Sequence, residues 1–593
     1  MKIIYDLETN GLVDTVSEIW IAVTKNIETN EIITFSDHDK DSKPLNELLP
    51  FLNKCEILIG HNIINYDNVV LHKLLGWQPP KSIKMIDTML LSQMNNFRRE
   101  GKHSLKNFGA ILGDAKLEFS NFYEYSKDMK TYAIQDVNLN HKVYNYVSKE
   151  ATQLIKNRPS YKQALRTEHA IAELCSEQVK NKWKFNTELA KERYDYLTSE
   201  MKIIEDEINP TLKPRKVFID KEPKKVKYLQ DGRFSAVSAR MLSQFLGTEI
   251  KQTDTDKWQP NKTFQRFNMV EADLGNMDQV RGMLLDNGWE PTQFTPKGEP
   301  KITDDSLTNV VSELGKKIIY YYSLRSRHSV LKGWIELAEL NNNRVYVEAF
   351  NIGTPTFRQR HSKIVNVPGA KSFFGSEMRE LFQSDEGKVM IGCDSSGNQI
   401  RALAHYLNNK EVNNHILKGD IHQHNADTIG IPRPLAKGVL YASVFGAGVK
   451  KLGKMVTGIE DLNKGKEVKA KLYEALPGLK ELIAKLNNFF YTTQNKTGYG
   501  YIPALDGRKV YAESSFKLLN YLLQSFEAIT VKTAVVNAFK MFKEENLEVD
   551  MLALVHDEVQ VQTQPQNVKR VKEILAFSFG EYITKTLNLN IEM

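Results

Sequence analysis

Two aspartates, far apart in the chain, each close a short apolar run. Asp394 follows Val389-Met390-Ile391-Gly392-Cys393, and Asp557 sits at a polar tip between Leu554-Val555 and Val559-Gln560-Val561. Between them Arg433, Lys437, Tyr441 and Phe445 recur at every fourth position, which puts all four on roughly one face of a helix. Two carboxylates suit a pair of divalent metals, and a cationic helix face suits a triphosphate. Together they describe metal-assisted nucleotidyl transfer. A second acidic set lies near the amino terminus. Asp6 and Glu8 are two apart at a strand end, so both leave the same face of a sheet and repel unless a cation or proton compensates. Asp67 ends the segment Gly60-His61-Asn62-Ile63-Ile64-Asn65-Tyr66, and Tyr132 and Asp136 lie one turn apart on a helix.

These groups must be held by several cores, because 593 residues exceed what one core organises. No apolar run approaches the roughly 20 residues of a membrane span. Asp6 and Glu8 interrupt the only apolar stretch at the amino terminus, so no secretory leader and no membrane association are expected. Cys55, Cys175 and Cys393 are scattered without metal-ligand spacing, which suits a reducing cytoplasm. A net charge of +7 permits a polyanionic partner without requiring one. Residues 1–150 alternate apolar strands (2–5, 19–24, 57–59) with helical stretches in an α/β pattern. Amphipathic helices are predicted over 167–183 and 187–208. Residues 209–270 are basic and punctuated by Pro210, Pro214 and Pro223, with Phe218, Tyr228, Phe234 and Trp258 interleaved. This segment reads as a solvated loop or, through its aromatics, as a tip binding nucleic acid or a partner.

The three amino-terminal acidic segments, in this order, resemble the exonuclease motifs of the DEDD superfamily in its tyrosine-containing branch. The resemblance implies that Asp6, Glu8, Asp67 and Asp136 bind two divalent ions while Tyr132 orients the attacking water of a 3′→5′ exonuclease. Ile86-Asp87-Thr88 and His103-Ser104-Leu105 look like that family's intervening segments, or serve the fold alone.

The run Asp394-Ser395-Ser396-Gly397-Asn398-Gln399-Ile400-Arg401 resembles motif A of family A (Pol I-like) DNA polymerases. Val555-His556-Asp557-Glu558 resembles motif C, and 433–446 the motif B helix. Asp506-Gly507-Arg508, with Asn520 and Gln524, resembles the family's primer-template contacts. The segment from Gly288 to Asp304-Asp305 resembles the entry from thumb to palm. The likeness covers nearly the whole chain and is strongest to replicative polymerases of short-tailed phages of the T-seven type.

It implies an α/β, RNase H-like exonuclease domain (1–150) followed by a right-hand polymerase. The mostly α thumb would span 160–343 with the basic insertion at 209–270. The α+β palm would take 344–408 and 519–593, and the mostly α fingers 409–518. Two Mg²⁺ ions per active site, replaceable by Mn²⁺, are implied at Asp394 and Asp557. Arg433, Lys437 and His422 would hold the dNTP triphosphate beside Tyr441. His556, Asn520, Gln524 and either Arg358 or Arg360, with Arg358 preferred, would touch the primer-template minor groove. Gln399 stands where the family has the glutamate that blocks a ribose 2′-hydroxyl, and Phe445 where it has a tyrosine, so the charge and the hydroxyl are both expected to be missing. Implied partners are primer-template DNA, dNTPs, a thioredoxin-like processivity factor at the insertion and a replicative helicase, in phage genome replication in the host cytoplasm. The alternatives are a nuclease with a degenerate polymerase half, a non-catalytic DNA-binding scaffold and a single-subunit RNA polymerase.

Overall fold

The computed structural model describes every residue except 213, 272, 292, 296–297 and 303–312. Asp304-Asp305 therefore lies outside the described residues. The chain divides into two compact units. One comprises Met1–Asn186, Leu337–Val367 and Phe382–Met593; the other comprises Thr187–Glu336 and Pro368–Leu381. Among the described residues no helix is long and apolar enough to cross a membrane.

The first unit opens with a five-stranded mixed sheet: β1 (Lys2–Thr9), β2 (Ile19–Asn26), β3 (Ile32–Phe35), β4 (Ile57–Gly60) and β5 (Lys84–Asp87), in the order β3-β2-β1-β4-β5. β1 is central, antiparallel to β2 and parallel to β4. Apolar clusters pack on both faces of the sheet, so Ile3, Ile4, Tyr5 and Leu7 are all buried. That continuous burial carries the strand beyond the predicted 2–5, out to the acids at positions 6 and 8. Helix α1 (Asp67–Leu75) begins at Asp67. Helix α2 (Lys127–Asn157) is capped by the Ser126 hydroxyl, which accepts the Met129 N–H, and it buries Tyr132 and Asp136.

Helix α3 (Tyr161–Asn181), expected in the thumb, belongs to this first unit. The reason is electrostatic. Glu168, with no exposed surface, pairs with Lys532 at 2.8 Å and Arg508 at 2.5 Å. Gln178 donates to the Val347 carbonyl and accepts the Leu554 N–H. A second sheet has the order β6 (Val389–Asp394), β8 (Glu558–Thr563), β7 (Val549–Val555), all antiparallel. Around it stand α4 (Asn398–Leu407), α5 (Ile421–Ile429), α6 (Arg433–Val444) and α7 (Leu518–Glu544). Helix α7 buries residues on all sides, from Leu518 to Phe542, and so forms the spine of this half.

In the second unit the helix predicted over 187–208 is present as Thr187–Ile208, and Glu313–Leu340 supplies Tyr321, whose hydroxyl donates to Glu205 at 2.7 Å. The basic insertion is not a loop. Phe234, Leu242, Ile250, Trp258 and Phe264 form a small core of their own around the helix Ala236–Leu246. Two short ladders flank it, Arg215–Phe218 with Phe267–Val270 and Lys224–Lys225 with Thr263–Phe264. Of the interleaved aromatics, Phe234 and Trp258 are consumed by packing, whereas Phe218 and Tyr228 stay exposed.

Candidate active sites

At the end of β1, ligand atoms of Asp6, Glu8 and Asp136 lie within 4.8 Å of one another. Asp67 joins them from the start of α1, its Oδ1 accepting the Leu7 N–H at 3.0 Å. Burial, then the charge of Asp136, pushes the Asp6 carboxyl up to about 7. Burial, then Asp6 and Asp136, pushes Glu8 up to about 9. Asp67 and Asp136 are raised too, chiefly by burial. Lys116, which the sequence did not single out, answers this charge: its Nζ is 2.5 Å from Asp136 Oδ2 and 4.8 Å from the centre of the Tyr132 ring. Asp136 Oδ1 is buried without a hydrogen-bond partner. A hard, all-oxygen donor set with an unsatisfied buried oxygen fits Mg²⁺ or Mn²⁺. Beside Glu8 opens a cleft of about 390 Å³, walled by Leu12, Tyr66, Phe122 and Tyr123. Leu12 and Tyr123 are 76% and 89% exposed.

The intervening segments serve the fold. Asp87 caps the helix Thr88–Asn95 by accepting the Met89 and Leu90 N–H groups, and it also accepts that of Asn62. Ser104 caps the helix Leu105–Leu112, and His103 Nδ1 lies 2.8 Å from Ser92 Oγ.

In the second half, β6 delivers Asp394 opposite Glu558, and the β7–β8 hairpin delivers Asp557 at its tip. The Ser395 N–H bonds to the Asp557 carbonyl at 3.1 Å, so the two acids arise from adjoining backbone. Burial, then Asp557 and Glu558, raises the Asp394 carboxyl. His556 occupies the tip with φ +56, a left-handed conformation that costs a non-glycine residue about 1 kcal/mol. Its ring meets His361 edge to face at 5.0 Å.

Helix α6 exposes Arg433 and Lys437 and ends at Phe445. Arg433 pairs with Asp420 at 2.6 Å, and His422 stands 6.0 Å from the Tyr441 ring centre, itself 6.4 Å from Phe445. Gly446 is obligatory: at φ +81 a Cβ would fall 2.3 Å from the Phe516 carbonyl oxygen.

Helix α7 carries Asn520, whose Oδ1 is buried and unpaired, and Gln524, whose Oε1 accepts from Thr356 at 3.3 Å. One further turn brings Glu527, 3% exposed, which pairs with Arg358 and accepts from Gln399 Nε2 at 3.0 Å. Arg360 instead lies over the Phe350 ring at 4.5 Å. Position 399 itself carries no charge, and Glu527 brings a carboxylate to its side chain from another helix. Arg508 is not placed to touch DNA. It is 1% exposed, and Glu168 and Asp506 take up its charge. An arginine in a turn gives no sequence sign of burial, whereas Glu527, like Lys532, could have been found as a charge among the apolar residues of α7.

The profile of DNA polymerase family A matches residues 239–593. The DNA-directed DNA polymerase of Escherichia phage T7 is 24% identical over 681 aligned residues, covering 96% of this chain and 95% of its own length. That of Enterobacteria phage T3 is 24% identical over 680, with the same coverage. A structure of the POL domain of Pol1 from M. smegmatis, in complex with DNA primer-template and dNTP, matches with a TM-score of 0.73 at 13% identity. The match covers 100% of this chain and 93% of that one, and it shows a Pol I-like polymerase fold. The profile takes in both aspartates of the second site, the cationic helix between them and all of α7, which is more than half of the sequence; the chain belongs to DNA polymerase family A.

Proposed function

We propose that this chain is a template-directed DNA polymerase that extends a primer 3′ end and edits it with a 3′→5′ exonuclease in residues 1–150. The observation that carries the polymerase reading is the convergence of Asp394 and Asp557 at one strand end within a family A fold. In this reading the palm is built on the β6–β8 sheet and the fingers on α5 and α6. The thumb begins at Thr187 rather than at 160, because α3 belongs with the first unit. Divalent cations held by Asp394 and Asp557, and by Asp6, Glu8, Asp67 and Asp136, would supply Lewis acidity and charge neutralisation for displacement at phosphorus.

The chain's own residues do the rest. Arg433 and Lys437 take the triphosphate, Arg by its planar fork and Lys as a point charge. Asp420 holds Arg433 until the more highly charged ligand displaces it. His556, Asn520, Gln524 and Arg358 border the nascent base pair and accept or donate at minor-groove positions common to all pairs. In the amino-terminal site Tyr132 orients water, and the cleft beside Glu8 takes the terminal nucleotide between Tyr66, Phe122 and Tyr123.

Primer extension tests the reading. Purified protein with a labelled DNA primer-template, Mg²⁺ and four dNTPs should give full-length, template-directed product. Without dNTPs the primer should shorten from its 3′ end. Absence of extension, or equal use of rNTPs and dNTPs, would refute it.

A further inference from the structure

We propose that Glu527 is the sugar-selecting carboxylate of the polymerase site, acting from α7 through Gln399 and Arg358. The proposal rests on the polymerase reading and names a specificity determinant within it. Gln399 is the second residue of α4, directly after the segment that carries Asp394. Its side-chain nitrogen lies 3.0 Å from Glu527 Oε2. A carboxylate only accepts hydrogen bonds, so the amide nitrogen must face Glu527 and the amide oxygen must face away. The other carboxylate oxygen, Oε1, pairs with the Arg358 guanidinium. Both oxygens of an acid buried to 3% exposure are thereby satisfied, which is the condition for keeping such a charge inside a protein.

This arrangement explains why position 399 is an amide. A glutamate there would set two carboxylates about 3 Å apart, with Arg358 paired only to the far oxygen of Glu527, and one acid would have to take up a proton. Glutamine keeps the length of glutamate, so the wall against a 2′-hydroxyl remains. Glu527 holds that wall in one rotamer while fixing the Arg358 guanidinium. Asn520, Gln524 and Glu527 recur at helical spacing on α7, and Gln524 is tied to Thr356, two residues before Arg358. One helix face thus positions both the sugar wall and the groove-facing side chains. Glu527 is a positioning residue: it orders Gln399 and Arg358 rather than touching reacting atoms.

The test is single-nucleotide insertion by the full chain in an Asp6→Ala, Glu8→Ala background, with matched dNTP and rNTP on a DNA primer-template. Glu527→Ala should lower the ratio of kcat/KM for dNTP over rNTP by about tenfold or more, mainly through a lower KM for rNTP, as expected for loss of a charge-assisted contact. Gln399→Glu alone should impair insertion of both nucleotides. The exchange Gln399→Glu with Glu527→Gln conserves charge and volume and should restore both insertion and selection, so the two positions are strongly non-additive. Unchanged selection in Glu527→Ala would overturn the proposal. So would additive effects at 399 and 527, or an exchange no better than Gln399→Glu, and the exchange decides if Glu527→Ala does not fold. If the unsubstituted polymerase site extends no primer, it is the polymerase reading that fails instead.

Discussion

Lys116 shows what a single residue does to the amino-terminal site. It brings one positive charge to a cluster of four acids; burial opposes that charge, but Asp136 and Tyr132 outweigh burial and hold the ammonium protonated. The remaining repulsion has a sign that can be measured. The folded state holds Asp6 up to about 7 and Glu8 up to about 9, above their unfolded values, so it binds more protons than the unfolded chain. The stability contributed is fully present below about pH 4 and is lost as pH rises through about 7 and then about 9. In EDTA, thermal unfolding of the amino-terminal region should therefore fall in temperature between pH 5 and 9. Mn²⁺ should reverse the loss, more at pH 8 than at pH 5, and Asp6→Ala with Glu8→Ala should flatten the profile. A metal-free profile that rises over this range would contradict the geometry. The acids of this site were legible because a strand places positions two apart on one face. Lys116 was not, since nothing distinguishes one loop lysine from the many others until α2 brings Asp136 back to β1.

At the scale of elements, α3 and the basic insertion are each organised by contacts that their own sequence does not announce. Helix α3 carries the expected amphipathic pattern, yet its partner is decided by Glu168. Burial disfavours the charge of Glu168, but Lys532 and Arg508 more than compensate and lower its proton affinity. Lys532 also donates to the carbonyls of Asn351 and Phe357, so this one acid organises α3, α7 and the turn before Arg358. Glu168→Ala leaves two buried cations short of a partner and should destabilise the first unit by about 3 to 5 kcal/mol in urea unfolding. A loss below about 1 kcal/mol would class the pair with surface ion pairs.

The insertion reads as a solvated loop or a binding tip because prolines and lysines dominate its sequence, while the apolar spacing that builds its core is irregular. Residues 209–270 hold 13 Lys and Arg against 6 Asp and Glu, a surplus of seven that equals the net charge of the whole chain, +7. Asp220 internally neutralises part of this by pairing with Arg266 and Lys224, whereas Lys221, Lys225 and Lys227 are exposed. Replacing those three with Ala should weaken primer-template binding most at low salt, and each lost phosphate contact should flatten the slope of log affinity against log salt by about 0.9. An unchanged slope with shorter products would point to a protein partner on this face. An unchanged slope and unchanged product length would leave it without a role in DNA binding.

For the whole molecule, the proposed function requires two metal-dependent centres in one chain that work independently. The family A fold and both sets of acids were readable from Asp6, Glu8, Asp394, Asp557 and the α6 spacing, because strand ends and helix faces have fixed periods. The links among elements were not readable: Glu527 to Gln399, and Glu168 to Arg508, join residues by contacts that no local period encodes. The most direct measurement follows a labelled primer on template, with and without dNTPs, for the unsubstituted protein, Asp557→Ala, and Asp6→Ala with Glu8→Ala. Asp557→Ala should lose extension by a factor of about 100 or more and still shorten the primer, and the amino-terminal double variant should do the reverse. Loss of both activities in either correctly folded variant, or extension that survives Asp557→Ala, would rule out two independent centres.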